Sequence, residues 1–273
     1  GRVGMAQLLP FTYDELYADS LGEPSLDELL WKGLYPPVHD REVDPQLWYG
    51  SYIQTYIERD VRQMVNVKEL GNFRRFVRLC AGRNAQILNL SSLANDCGIA
   101  VNTAKSWISI LEASFIVFQL QPHFINFNKR LIKSPKLYFY DSGLVTWLLS
   151  IATPETLNLH PSRGALFESF VVSEMLKMTM NAGANRSFYF WRDRQGNEVD
   201  LLMDQGSHLR PIEIKSSQTM NPEYLKGLQK WMGLAQDQGD APTLVYGGDQ
   251  LQHRQDIQVV PWRQLASAFG INP

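Results

Sequence analysis

Four side chains between residues 168 and 215 could do chemistry together. Glu168 sits in a helix-like apolar run. Asp200 closes Asn197-Glu198-Val199-Asp200, and Glu213-Ile214-Lys215 lies inside a strand-like run. Strand residues two apart point to the same side, so Glu213 and Lys215 share a face while Ile214 turns to the core. Glu198 and Asp200 share a face on the preceding strand for the same reason. The turn residues Asp204-Gln205-Gly206-Ser207 predict a hairpin that brings Asp200 near Glu213. Two carboxylates held that close repel unless a cation neutralises them. Their hard oxygens suit Mg²⁺ or Mn²⁺, which would activate a water and screen a phosphate. Lys215 could hold the attacking hydroxide or stabilise the negative charge that develops. Asp200, Glu213 and Glu168 are the expected metal ligands, and these three with Lys215 the expected catalytic set of a metal-dependent phosphodiesterase site. A Glu-x-Lys alone is also what a half-exposed strand looks like. Glu168 alone could pair with Arg192 or Arg194.

The elements that must position these groups follow from the apolar pattern. A helix is expected over about 164–178, strands near 188–191, 199–203 and 211–215, a helix over about 222–235, strands at 243–246 and 257–260, and a short terminal helix. Helix, three strands, helix, strand predicts an α/β sandwich with a mixed sheet over residues 141–273. Upstream, residues 71–140 read as a winged helix-turn-helix. A first helix carries Phe73, Phe76, Val77 and Leu79. A second, 89–97, is closed by Gly98, and a third covers about 102–114. Strands near 115–120 and 136–140 flank a wing. Asn102, Thr103 and Lys105 on the third helix, and Lys129, Arg130, Lys133 and Lys136 in the wing, are the expected nucleic-acid contacts. The third helix has no arginine, so phosphate contact is expected to outweigh base readout. Residues 1–70 read as a helical segment. Thr12 with Glu15 forms a capping box, Pro36-Pro37 a turn, and 45–65 an amphipathic helix begun by Asp44 and Pro45.

The chain has 273 residues and 44% hydrophobic content, as ordinary globular domains do. Its net charge of −2 is unevenly spread. Residues 1–67 carry 5 Lys+Arg against 11 Asp+Glu (−6), residues 68–136 carry 10 against 3 (+7), and residues 137–273 carry 11 against 14 (−3). A +7 block of that length predicts a basic face for a polyanion or an acidic protein surface. Cys80 and Cys97 have no CxxC spacing, which argues against zinc and a disulfide scaffold and fits a reducing cytoplasm. No apolar run approaches the roughly 20 residues of a membrane span, so no membrane partner is expected. The chain opens Gly1-Arg2-Val3 and flows into Leu8-Leu9-Pro10-Phe11, as an interior piece of a longer polypeptide would.

Several stretches together resemble the C-terminal part of a prokaryotic AAA-type ATPase whose tail is called domain of unknown function 4143. They include Gly1-Arg2-Val3, Tyr56-Ile57-Glu58-Arg59-Asp60-Val61, Lys105-Ser106-Trp107-Ile108, Lys133-Ser134-Pro135-Lys136-Leu137-Tyr138, Asp141-Ser142-Gly143-Leu144, Gly164-Ala165-Leu166-Phe167-Glu168, Glu198-Val199-Asp200 and Ile212-Glu213-Ile214-Lys215-Ser216-Ser217. The resemblance implies a winged helix followed by a domain similar to PD-(D/E)XK nucleases. In that domain Asp200 and Glu213 would be metal ligands, Lys215 the catalytic lysine and Glu168 an accessory acid. It also implies an ATPase core outside this chain as a partner. No G-x-x-x-x-G-K-[ST] occurs in the sequence, so ATP binding is not expected of this chain alone. Two functions follow as expectations: nucleic-acid binding with phosphodiester hydrolysis, DNA being favoured over RNA, or a non-catalytic docking module of the ATPase. Self-association stays open.

Overall fold

The structure, a computed structural model, describes residues 7–18, 22–41, 43–59, 61, 69–123, 133–184 and 186–271. Four helices come first: α1 (Tyr13–Tyr17), α2 (Leu26–Lys32), α3 (Pro37–Asp40) and α4 (Pro45–Arg59). Thr12 and Glu15 form the expected capping box on α1. Ser25 and Glu28 form a second one on α2. Asp44 Oδ1 accepts from the Leu47 N–H at 3.0 Å, as expected of the start of α4. The continuation expected to residue 65 falls mainly on positions outside the described residues.

Next come α5 (Leu70–Ala81), the two-residue β1 (Gln86–Ile87), α6 (Leu90–Cys97), α7 (Val101–Ala113), β2 (Val117–Pro122) and β3 (Lys136–Phe139). Asn89 caps α6, and Gly98 ends it at φ +75°, a conformation that needs no Cβ. Trp107 fastens α7 to α5, its ring 5.3 Å from both Phe73 and Phe76 in edge-on contact. The wing expected between β2 and β3, with Lys129 and Arg130, lies mostly outside the described residues.

The remainder is α8 (Ser142–Leu148), α9 (Pro154–Asn158), α10 (Arg163–Asn181), β4 (Phe188–Arg192), β5 (Glu198–Asp204), β6 (Leu209–Lys215), α11 (Lys226–Ala235), β7 (Thr243–Tyr246), β8 (Gln252–Arg254), β9 (Ile257–Pro261) and α12 (Leu265–Phe269). The nine strands of the described residues form one mixed sheet in the order β1-β3-β2-β4-β5-β6-β7-β9-β8. The sheet does not stop at the boundary expected near residue 140. Instead β2 pairs with β4 in parallel, Gln121 opposite Tyr189. The α/β class with a mixed sheet is therefore as expected.

Two cores flank the sheet around the acid pocket. One gathers Leu166, Phe167, Phe170 and Met175 of α10 with Phe190, Leu201, Met203, Ile212, Ile214 and Val245. The other lies under α11 and joins Leu228 and Trp231 to Trp191, Val199, Leu202, Leu244 and Val259. The first helices belong to the same body. The Tyr13 N–H donates to Glu174 Oε2 at 2.7 Å, and Lys177 Nζ donates to the Phe11 carbonyl at 2.5 Å. Among the described residues, no helix is long and apolar enough to cross a membrane. Cys80 and Cys97 are buried free thiols.

Candidate active site: four acids and two lysines at a split in the sheet

Two backbone irregularities build the site. Tyr189 pairs with Leu202 and Trp191 with Val199, so Phe190 alone faces both Asp200 and Leu201. This is a β-bulge, which re-aims the residues it displaces. Val199 and Leu202 enter the α11-side core, Leu201 the α10-side core, and Asp200 is released toward the pocket. The second irregularity is that the β5–β6 pairing register runs from Asp204–Leu209 only as far as Leu201–Ile212. Beyond it the strands part, and Asp200 and Glu213 stand at the opening. Asp200 Oδ2 accepts the Ile214 N–H at 2.8 Å.

All four expected residues line one cavity of about 630 Å³: Glu168 from α10, Asp200 from β5, Glu213 and Lys215 from β6. Lys215 Nζ lies 2.5 Å from Glu213 Oε1 and 3.5 Å from Asp200 Oδ2. Glu213 Oε2 is buried and has no hydrogen-bond partner. α11 approaches this oxygen through Gly227, where a Cβ would lie 2.9 Å from the Glu198 carbonyl and 3.4 Å from Glu213 Oε2.

Lys136 requires a correction. As a wing cation it would point to solvent, but it is 1% exposed. It opens β3, whose alternation sends Lys136 and Tyr138 into the acid pocket. Lys136 Nζ lies 2.8 Å from Glu168 Oε1 and 3.9 Å from Asp200 Oδ1, and it also pairs with Glu198. The Tyr138 hydroxyl donates to the same Glu168 oxygen at 2.6 Å. Arg192 pairs with Glu198 at 3.1 Å rather than with Glu168. The alternation Lys136-Leu137-Tyr138 was available as a signal for two inward polar groups, whereas Glu198 was visible only as a neighbour of Asp200 on its strand face.

Burial dominates the electrostatics. It raises Glu213 to about 8, with the Asp200 carboxylate adding to the shift and Lys215 opposing it. It raises Glu168 to about 7, against the pull of Lys136. Burial alone would lower both lysines, but the surrounding oxygen groups outweigh it. Tyr138, Glu168, Asp200 and Glu198 do so for Lys136, and Asp200 and Glu213 for Lys215. Both ammonium groups stay charged.

Among the described residues, no three His, Cys, Asp or Glu side chains are grouped so that they could hold a metal ion. The lysines stand between the acids, and Glu168 is engaged by Lys136 and Tyr138. Asp200 and Glu213 fit a smaller role. Mg²⁺ is often held by one or two carboxylates and keeps several waters. The unpartnered Glu213 oxygen, in a carboxyl group whose charge burial disfavours, is what such a cation would satisfy.

The expected nucleic-acid contacts lie elsewhere. Asn102 and Lys105 are exposed on α7, Thr103 is half-buried there, and Lys133 is exposed before β3. Lys129 and Arg130 fall outside the described residues.

Comparison with known proteins finds two family models along the chain. Residues 163–265 match the family model described as Domain of unknown function (DUF4143), and residues 23–155 match Domain of unknown function (DUF8612). The DUF4143 match spans α10, β5 and β6, and with them Glu168, Asp200, Glu213 and Lys215. The chain is 30% identical over 221 residues to Uncharacterized protein Mb2031c of Mycobacterium bovis and, to the same degree, to Uncharacterized protein Rv2008c of Mycobacterium tuberculosis. The match covers 80% of this chain and 48% of either relative, so the chain spans about half the length of the curated relatives it matches. No solved structure gives a significant match.

Proposed function

We propose that this chain binds nucleic acid and hydrolyses phosphodiester bonds with Mg²⁺ or Mn²⁺, as the C-terminal region of a longer ATPase. The observation that carries this reading is the opening of the sheet between β5 and β6, where Asp200, Glu213 and Lys215 meet at one cavity with Glu168 behind them. The order α10, β4, β5, β6, α11, β7 supports the reading of a PD-(D/E)XK-like core. The order α5, β1, α6, α7, β2, β3 supports that of a winged helix. Asp200 and Glu213 would hold the cation, which supplies a water of lowered pKa and screens phosphate charge. Lys215, a third of its side chain exposed, reaches from the acids toward the cavity mouth. There it orients the attacking oxygen or receives the charge developing on the phosphate. Lys136 and Tyr138 hold Glu168 in place. The exposed face of α7 and Lys133 are the phosphate-facing surface, with DNA the favoured polymer.

One observation favours a second reading, a docking module for the ATPase core. The site has its own buried cation in Lys136, and its acids are neutralised without a metal. Calorimetric titration of Mn²⁺ into the chain at neutral pH separates the two readings. Binding at one site that Glu213→Gln removes is the result expected of the hydrolase. Absence of binding in the wild type would leave the docking module.

A further inference from the structure

A second cavity, of about 610 Å³, opens between α4, α5 and α8 and shares none of the acid pocket's lining. Arg74, Arg75 and Arg78 of α5 line it with Gln54 of α4 and Trp147 of α8, and among the described residues no carboxylate does. The buried side of α5 is Phe73, Phe76, Val77 and Cys80, so the arginines are turned outward. Among the described residues, Arg75 and Arg78 make no ion pair or side-chain hydrogen bond. Elsewhere guanidinium groups near acids find them: Arg83 pairs with Asp96, Arg163 with Asp27, and Arg263 with Glu23 and Asp249. A charged helix face is ordinarily a mixed, solvated one. This one combines the guanidinium groups of Arg75 and Arg78 with a concave surface and an aromatic wall.

We propose that this cavity takes a base–phosphate unit of a single-stranded nucleic acid. Guanidinium groups fork onto phosphate oxygens, which assigns Arg75 and Arg78 to the backbone. An indole face stacks on any unpaired base whatever its identity, which assigns Trp147 to the base. A duplex buries its base faces and would meet only the arginines. The inference rests on the reading that the partner is nucleic acid, but not on hydrolysis. It adds a single-strand site on α5 to the phosphate-facing surface of α7.

The test is anisotropy of a fluorescein-labelled oligothymidylate of about 20 nucleotides on the whole chain, in EDTA, across roughly 50–200 mM salt. Arg75 and Arg78 are exposed, so the double Arg75→Ala, Arg78→Ala variant keeps the fold, with a thermal melt as the check. It is expected to bind at least about tenfold more weakly, with a salt slope shallower by about 1.4, at ~0.7 per phosphate contact on a single strand. Trp147→Leu is expected to lose about tenfold with the slope unchanged. Wild-type affinity and slope in the double variant would overturn the proposal. So would binding of free ATP at these arginines without binding of the strand, or duplex binding that depends equally on Trp147. Cleavage is read separately. Loss of cleavage in Asp200→Ala with arginine-dependent binding intact concerns the acid pocket alone. Arginine-independent binding with intact cleavage counts against this cavity alone.

Discussion

Lys136 Nζ lies 2.8 Å from Glu168 Oε1, so the first residue of β3 places a buried cation against an acid from the middle of α10. The pair ties the helix-rich first half of the chain to the DUF4143-matching region at its most charged point. Glu198 and Asp200 depend on the same ammonium group.

Removing that cation takes from Glu168 its buried counter-charge and from Glu198 and Asp200 one of theirs, which costs far more than the pair itself contributes. Lys136→Met is expected to lose about 3–5 kcal/mol of stability in urea unfolding. Adding Glu168→Gln should restore part of it. A loss below ~1 kcal/mol would mean that solvent reaches the acids and that the lysine is not their main counter-charge.

The raised carboxyl groups fix a pH dependence. Glu213 and Glu168 hold protons in the folded chain at pH values where the unfolded chain has released them. The folded state therefore binds more protons between the ordinary glutamate value and about 8, and stability falls as pH rises through that window. Glu213→Gln should flatten the fall in metal-free buffer. Unfolding curves at several pH values read this directly, and a wild-type stability that rises toward pH 8 would contradict the burial of these acids.

Asp141-Ser142-Gly143-Leu144 is a structural knot beside the site rather than part of it. Asp141 accepts from the Leu34 and Leu144 N–H groups at 2.6 and 2.8 Å and from the Tyr49 hydroxyl at 2.7 Å. A Cβ on Gly143 would lie 2.6 Å from the Lys32 carbonyl. Asp141→Ala should destabilise by about 3 kcal/mol, through the buried Leu34 and Leu144 N–H groups left unmet and the loss of the Tyr49 contact. Gly143→Ala should destabilise as well, by forcing α2 and α8 apart. Metal binding by either variant, measured below its melting temperature, should match wild type. A selective loss of metal binding would place the knot in the site.

The four chemistry-bearing residues were legible because each signal was local: an acid in an apolar helix, and carboxylates two residues from a like-facing neighbour on a strand. Lys136 was misread for the opposite reason. Its basic neighbours Lys129, Arg130 and Lys133 suggested a solvated wing, and only the pairing of β3 with β2 turns it inward. The bulge at Asp200 and the parallel β2–β4 contact depend on partners far away in the chain. The two-residue β1 and three-residue β8 are too short to leave a periodic pattern. Gly227 gave no sign in the sequence that it borders Glu213.

The central claim is tested most directly by incubating plasmid and single-stranded DNA with the purified chain and Mg²⁺ or Mn²⁺, beside Asp200→Ala and Lys215→Ala. The account predicts cleavage by the wild type, its loss in EDTA, and a fall of at least about a hundredfold in either variant, the size expected when a group that stabilises transition-state charge is removed. Equal cleavage by all three proteins would contradict the assigned site, and no cleavage by the wild type would contradict a hydrolase in this chain.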